Sequence, residues 1–218
     1  MNIRASLIVT LILSGVMLPF TVKAHPHNWI DLRIEARFDT NGRVTGLYQR
    51  WLFDDYYSVF ITEGMDGDDD GKPDRSQLES LRMTMFSNLA AFNFFSHIEQ
   101  EDHDVPCSPV TQGAIAMRNH RLEISFFLPF ESPRDPSITP LTYRVFDPSY
   151  YIEMIHAEAK DAISLRDAPD ECRHHVVQPS PDPEKVAYAA SLPASQSGGN
   201  DLGKFFAEKV VIECPVKP

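Results

Sequence analysis

His25-Pro26-His27-Asn28-Trp29 is the stretch whose residue types and spacing offer the most chemistry. It follows a basic start (Met1 to Arg4), a mostly apolar run (Ala5 to Phe20) and Val22-Lys23-Ala24, the pattern of a secretion signal with its cleavage site. A chain cut after Ala24 begins with His25, whose α-amine and ring Nδ1 can close a chelate on one metal ion. The amine titrates near about 7.7–8 and imidazole near about 6.5, so a metal competes readily with protons for both. His27 adds a second imidazole. Pro26 between them has no amide N–H, which excludes a square-planar site built on two deprotonated backbone amides. An amine-plus-imidazole clamp of this kind favours copper, then nickel or zinc. Asp54, which ends the second strand of the hairpin that follows, is the candidate additional ligand. The competing reading is two histidines on a frayed terminus.

A second cluster is denser in carboxylates. Asp66, Asp68, Asp70 and Asp74 occupy positions 1, 3, 5 and 9 of a D-x-D-x-D-G calcium loop, with Gly71 at the sharp turn. Lys72 would offer its carbonyl at position 7. Position 12 is Gln77, so the usual bidentate carboxylate is missing, and Pro73 replaces the branched apolar residue at position 8. The spacing predicts a structural calcium site; the alternative is a solvated acidic loop.

Other residues carry less. His174 and His175 are adjacent and point to opposite faces of a strand. His156 reads as a hydrogen-bonded core or rim histidine, and His97, His103 and His120 as surface residues. There is no G-x-S-x-G, H-E-x-x-H, P-loop or G-x-G-x-x-G, so no catalytic engine is specified and a non-enzyme is expected. No C-x-x-C occurs among Cys107, Cys172 and Cys214. An oxidising compartment implies one disulfide and one free thiol, with Cys172–Cys214 the preferred pair.

Removal of residues 1–24 takes away Arg4 and Lys23 and leaves 194 residues, 18 basic against 31 acidic, a balance of −13. Such a chain does not seek nucleic acid or anionic lipid by charge. No second apolar run is long enough to span a membrane.

The elements that must position these groups follow from periodicity. Trp29 to Phe38 alternates apolar and polar residues, Asn41-Gly42 signals a hairpin, and Arg43 to Phe53 returns. Asp54-Asp55 caps a short helix through Tyr56, Tyr57 and Phe60. Leu78, Leu81, Met85, Leu89 and Phe92 predict an amphipathic helix over 75–92. Strands are expected at 94–100, around Leu122 to Leu128, at Leu141 to Val145, along Tyr150 to His156, and as short pieces at 162–165 and 173–177. Residues 178–200 are rich in Pro, Ser, Ala and Gly and read as a flexible low-complexity segment, with at most one helix near Glu184 to Ala190. The expected organisation is a signal peptide (1–24), a β-rich domain (25–177), that segment, and a C-terminal strand within 201–218 that rejoins the domain. The fold class is α+β: an antiparallel β-rich single domain with one main helix.

Taken in order, His25-Pro26-His27-Asn28-Trp29-Ile30-Asp31, Trp51-Leu52-Phe53-Asp54, the aspartate loop and Phe146-Asp147-Pro148-Ser149-Tyr150-Tyr151-Ile152 resemble an uncharacterised bacterial family, the domain of unknown function one thousand and seven. The resemblance covers most of the mature chain. Its members are often labelled the periplasmic component of an ABC-type transport system and commonly accompany a nickel/cobalt-type permease. It therefore implies a periplasmic location, transition-metal traffic and an inner-membrane metal permease as partner. The expectation is a metal-binding accessory or solute-binding component of a transport system. Its alternatives are a calcium-stabilised interaction module of the envelope and, more remotely, a copper enzyme with a terminal histidine clamp.

Overall fold

The computed structural model describes residues 26–68, 70–193 and 196–216. The leader and His25 lie outside the described residues. The chain opens on the predicted hairpin: β1 (Asn28–Phe38) and β2 (Val44–Phe53) pair antiparallel, with Ile30 opposite Phe53 and Ala36 opposite Leu47. Their alternation is the cause: Ile30, Leu32, Ile34, Leu47 and Trp51 are almost wholly buried, while the intervening residues face outward. Helices α1 (Asp55–Thr62) and α2 (Arg75–Ala90) follow, then the strands β3 (Ser96–Gln100), β4 (His103–Asp104), β5 (Gly113–Arg118), β6 (Arg121–Arg134) and β7 (Leu141–Val145). The last third adds β8 (Ile152–His156), β9 (Ile163–Arg166), β10 (Arg173–Val177), α3 (Pro183–Ser191) and β11 (Lys209–Glu213). This is an α+β fold dominated by its sheets.

The larger sheet runs β5-β6-β2-β1-β8, with β9 also on β1; the smaller runs β10-β11-β7-β3-β4. One core joins them, with Trp51, Ile124 and Leu32 from the first sheet and Leu141, Tyr143 and Ile212 from the second. Most ladders are antiparallel, as the β-rich reading expects, and β1 carries the exceptions. β8 and β9 both pair parallel to β1, Trp29 opposite Glu153 and Glu35 opposite Ser164. Parallel pairing demands a long crossover, and here β2, α1, α2 and β3 to β7 lie between β1 and β8 in the chain.

Two further differences concern the phenylalanines after α2. Phe92 lies past the end of the helix and is 60% exposed, off the half-buried stripe of Leu78, Leu81, Met85 and Leu89 that packs on the core. Asn93, Phe94 and Phe95 all have φ near +50°, so a left-handed turn stands where the strand was expected to begin. Such a run costs roughly 1–2 kcal/mol per residue. It turns Phe94 into the core, 4.5 Å from the Phe126 ring and 5.7 Å from Phe86. A buried polar chain fixes the turn: Trp51 Nε1 donates to Gln49, Gln49 Nε2 to Ser96 Oγ (2.8 Å), and Ser96 Oγ to the Phe94 carbonyl.

Cys172 and Cys214 form the disulfide, and Cys107 is free. The bridge closes the end of the β10–β11 ladder, where Arg173 faces Glu213. Within 178–200 the structure places α3, capped by Asp182, and buries Ala189 and Leu192 against Tyr150 and Leu202. β11 returns to the middle of the smaller sheet, between β10 and β7. Among the described residues no helix is long and apolar enough to cross a membrane.

Candidate metal centre

His27 is the last residue before β1, and it is half-buried. Its amide donates to the Tyr151 carbonyl (2.9 Å), and its ring lies 4.7 Å from the Tyr151 ring. Tyr151 is presented by a turn that Asp147 builds. The Asp147 carboxylate, 7% exposed, accepts hydrogen bonds from the Ser149 amide and hydroxyl and from the Tyr151 and Ile152 amides. Tyr150 takes positive φ in the same turn and stacks on Phe206 at 4.1 Å. Burial, then the negative charge of Glu153, pushes the Tyr150 phenol upward, so it stays neutral and can donate to that carboxylate. The Asp-Pro-Ser-Tyr-Tyr motif thus becomes the wall against which the amino-terminal motif rests.

Two carboxylates border the same corner. Asp54 caps α1 by accepting the Tyr57 amide, and its other oxygen accepts the Trp29 amide (3.0 Å). The Asp54 amide in turn donates to the Trp29 carbonyl. Glu153 accepts Trp29 Nε1 at 2.8 Å. His27 and Trp29 are two strand residues apart, about 7 Å. Both carboxylates therefore stand close to His27, with Asp54 already committed to two backbone donors. A carboxylate has about four acceptor positions, so that commitment leaves room for a cation. Tyr151 stands out in the sequence only as part of the Asp-Pro-Ser-Tyr-Tyr motif and Glu153 not at all; the parallel β1–β8 register brings both here, and periodicity does not report register. His25, the residue expected to supply two of the nitrogens, falls outside the described residues.

The aspartate loop is a separate site. Asp66, Asp68 and Asp70 bring ligand oxygens within 4.8 Å of one another, which no other trio of acidic, histidine or cysteine residues among the described residues achieves. Gly71 has φ +78°, as the sharp turn at position 6 requires. The loop ends are pinched together by the Asp74 amide on the Met65 carbonyl (2.6 Å), and the Asp74 carboxylate lies close over Gly67. Asp66 accepts the Asp70 and Gly71 amides, and Asp70 accepts the Lys72 amide. Gln77, in the first turn of α2, holds its Oε1 out of solvent with no hydrogen bond among the described residues. Oxygen donors of this number and type suit a hard divalent cation. A cleft of about 670 Å³ adjoins the loop, lined by Val59, Asp66, Lys72, Leu78, Met117 and His120, and contains none of the amino-terminal residues.

The remaining histidines divide. His156 is half-buried, with its side chain largely covered and bonded at both ring nitrogens, Nε2 to the Tyr143 hydroxyl (3.1 Å) and Nδ1 to Glu208 (2.7 Å). His97 stacks on Phe146, and His174 and His175 alternate along exposed β10.

Comparison with known proteins agrees with the motif reading. A protein of Haemophilus influenzae (strain ATCC 51907 / DSM 11121 / KW20 / Rd), described as an uncharacterized protein, is 27% identical over 208 residues, covering 93% of this chain and 97% of its own. No solved structure matches the chain. The family described as "Protein of unknown function (DUF1007)" matches residues 10–214, nearly the whole length, and the chain belongs to that family.

Proposed function

We propose that the mature protein is a periplasmic metal carrier that holds a transition-metal ion at its amino terminus and serves a metal transporter of the inner membrane. The observation that carries this reading is the meeting of two distinctive motifs more than a hundred residues apart. His27 is bonded to, and stacked on, Tyr151, and carboxylates of Asp54 and Glu153 lie on either side of the next strand residues. A histidine on a frayed end would have no such support. The amine and ring of His25 with the ring of His27 supply nitrogen ligands in the copper, nickel and zinc range. Few ligands at an exposed edge suit an ion that must be handed on, and the acidic balance of the mature chain favours cations. The disulfide fits an oxidising compartment. Elemental analysis of protein purified from the periplasm without an amino-terminal tag tests the proposal. About one equivalent of copper, nickel or zinc is expected, and a metal-free protein that also fails to take up any of the three contradicts it.

A second reading, a calcium-stabilised interaction module, is favoured by the clustered carboxylates of Asp66, Asp68 and Asp70. Saturating calcium is then expected to raise the melting temperature by roughly 5 °C or more. Asp68→Ala with Asp70→Ala should remove that rise, and an unchanged melting temperature in the parent protein excludes the site.

A further inference from the structure

The outward face of the larger sheet carries a cluster of guanidinium groups unusual for so acidic a chain. The β1–β2 register sets Arg33 directly opposite Arg50. Like charges facing each other across a strand pair are destabilising. The neighbouring arginines are neutralised: Arg33 by Asp161, Arg37 by Glu35, and Arg166 by Glu35 and Asp167. Arg50 makes no hydrogen bond or direct ion pair among the described residues, although Asp161 lies near enough to feel its charge. That leaves four guanidinium groups against three carboxylates, with the surplus charge on Arg50.

Arg50 also lines a cleft. A hollow of about 160 Å³ is bounded by Arg33, Arg50, Tyr48, Ser164, Glu35 and Asp161. Arg37 lies over the Tyr48 ring at 4.6 Å, which holds that wall in place. The volume is well below the roughly 300 Å³ at which drug-sized ligand sites begin, so it admits one small ion and no nucleotide. An arginine fork presents parallel donors matched to two oxygens of one anion, and the Ser164 and Tyr48 hydroxyls supply further donors at the rim.

We propose that this hollow is a binding site for a small oxyanion, of the phosphate or short carboxylate class, whose charge meets the surplus positive charge of Arg50. Its occupant screens Arg50 from Arg33, which faces it across the strand pair. The site is independent of the amino-terminal metal reading, since none of its residues touches that corner.

Calorimetric titration of the full mature chain with inorganic phosphate, and separately with succinate, in chloride buffer of matched ionic strength, tests the proposal. Saturable binding of at least one of the two is expected, and the one that binds identifies the class. Arg50→Gln should weaken that binding roughly tenfold or more. The melting temperature of Arg50→Gln in chloride should be unchanged or higher, because a like-charge contact is removed. Arg50→Lys, which keeps the charge and loses the fork, should bind at an intermediate level. Absence of binding by either anion overturns the proposal, and so does equal affinity of the parent protein and Arg50→Gln.

Discussion

His156 and Glu208 join the two sheets through two side chains. His156 ends β8 of the larger sheet, while Tyr143 in β7 and Glu208 just before β11 belong to the smaller one. Burial opposes the charge on Glu208, but the His156 ring and amide and the Gln178 amide outweigh it and hold the carboxyl down at about 2. A carboxylate depressed in the folded state stabilises above its unfolded value near 4.5, and that stability is lost as pH falls from there toward 2. Allowing for solvent screening, the contribution is on the order of 1–2 kcal/mol. Glu208→Gln should therefore be less stable than the parent at pH 7 by about that amount, with the two curves converging near pH 2. Urea unfolding across that range checks it; curves that stay parallel would exclude the linkage.

At the scale of elements, α2 is held through one close approach. Phe86 lies so near Gly113 of β5 that any Cβ there would collide with the ring, and the same ring packs edge-on against Phe94 and Phe126. Gly113→Ala should cost roughly 1–3 kcal/mol by lifting α2 from the sheet, measurable as a lower denaturation midpoint. No local pattern in the chain announces that contact. The hairpin β1–β2 was legible because Ile30, Leu32, Ile34, Leu47 and Trp51 alternate toward one core. The start of α1 was legible because Asp54 is a good cap. β5 was not, since Gly113-Ala114-Ile115-Ala116-Met117 is a small-residue edge strand with no fully buried position. The parallel contacts of β1 with β8 and β9 were hidden for another reason: pairing partners are chosen by the whole fold, not by local pattern. So His27 and the Tyr151 motif could each be read from the chain as candidates, while their meeting and the approach of Glu153 could not. The disulfide lies between these cases, its cysteines visible and their alignment supplied by the β10–β11 ladder.

For the whole molecule, a two-sheet core anchors both ends of the described chain. β11 and its disulfide tie down the carboxyl end, and β8, the Asp147 turn and Asp54 hold the amino end. That arrangement supplies a built-in reporter for the amino-terminal corner. Trp51 is wholly buried and bonded to Gln49, whereas Trp29 is 45% exposed and two residues from His27. Copper(II) titration of the mature chain with its native amino terminus, followed by tryptophan emission, therefore reports on this corner alone. Quenching is expected to saturate at about one equivalent, to disappear in Trp29→Phe, and to weaken greatly when a single residue precedes His25. Equal quenching of the native and extended chains, or none in either, would contradict a metal held by the amino-terminal histidines.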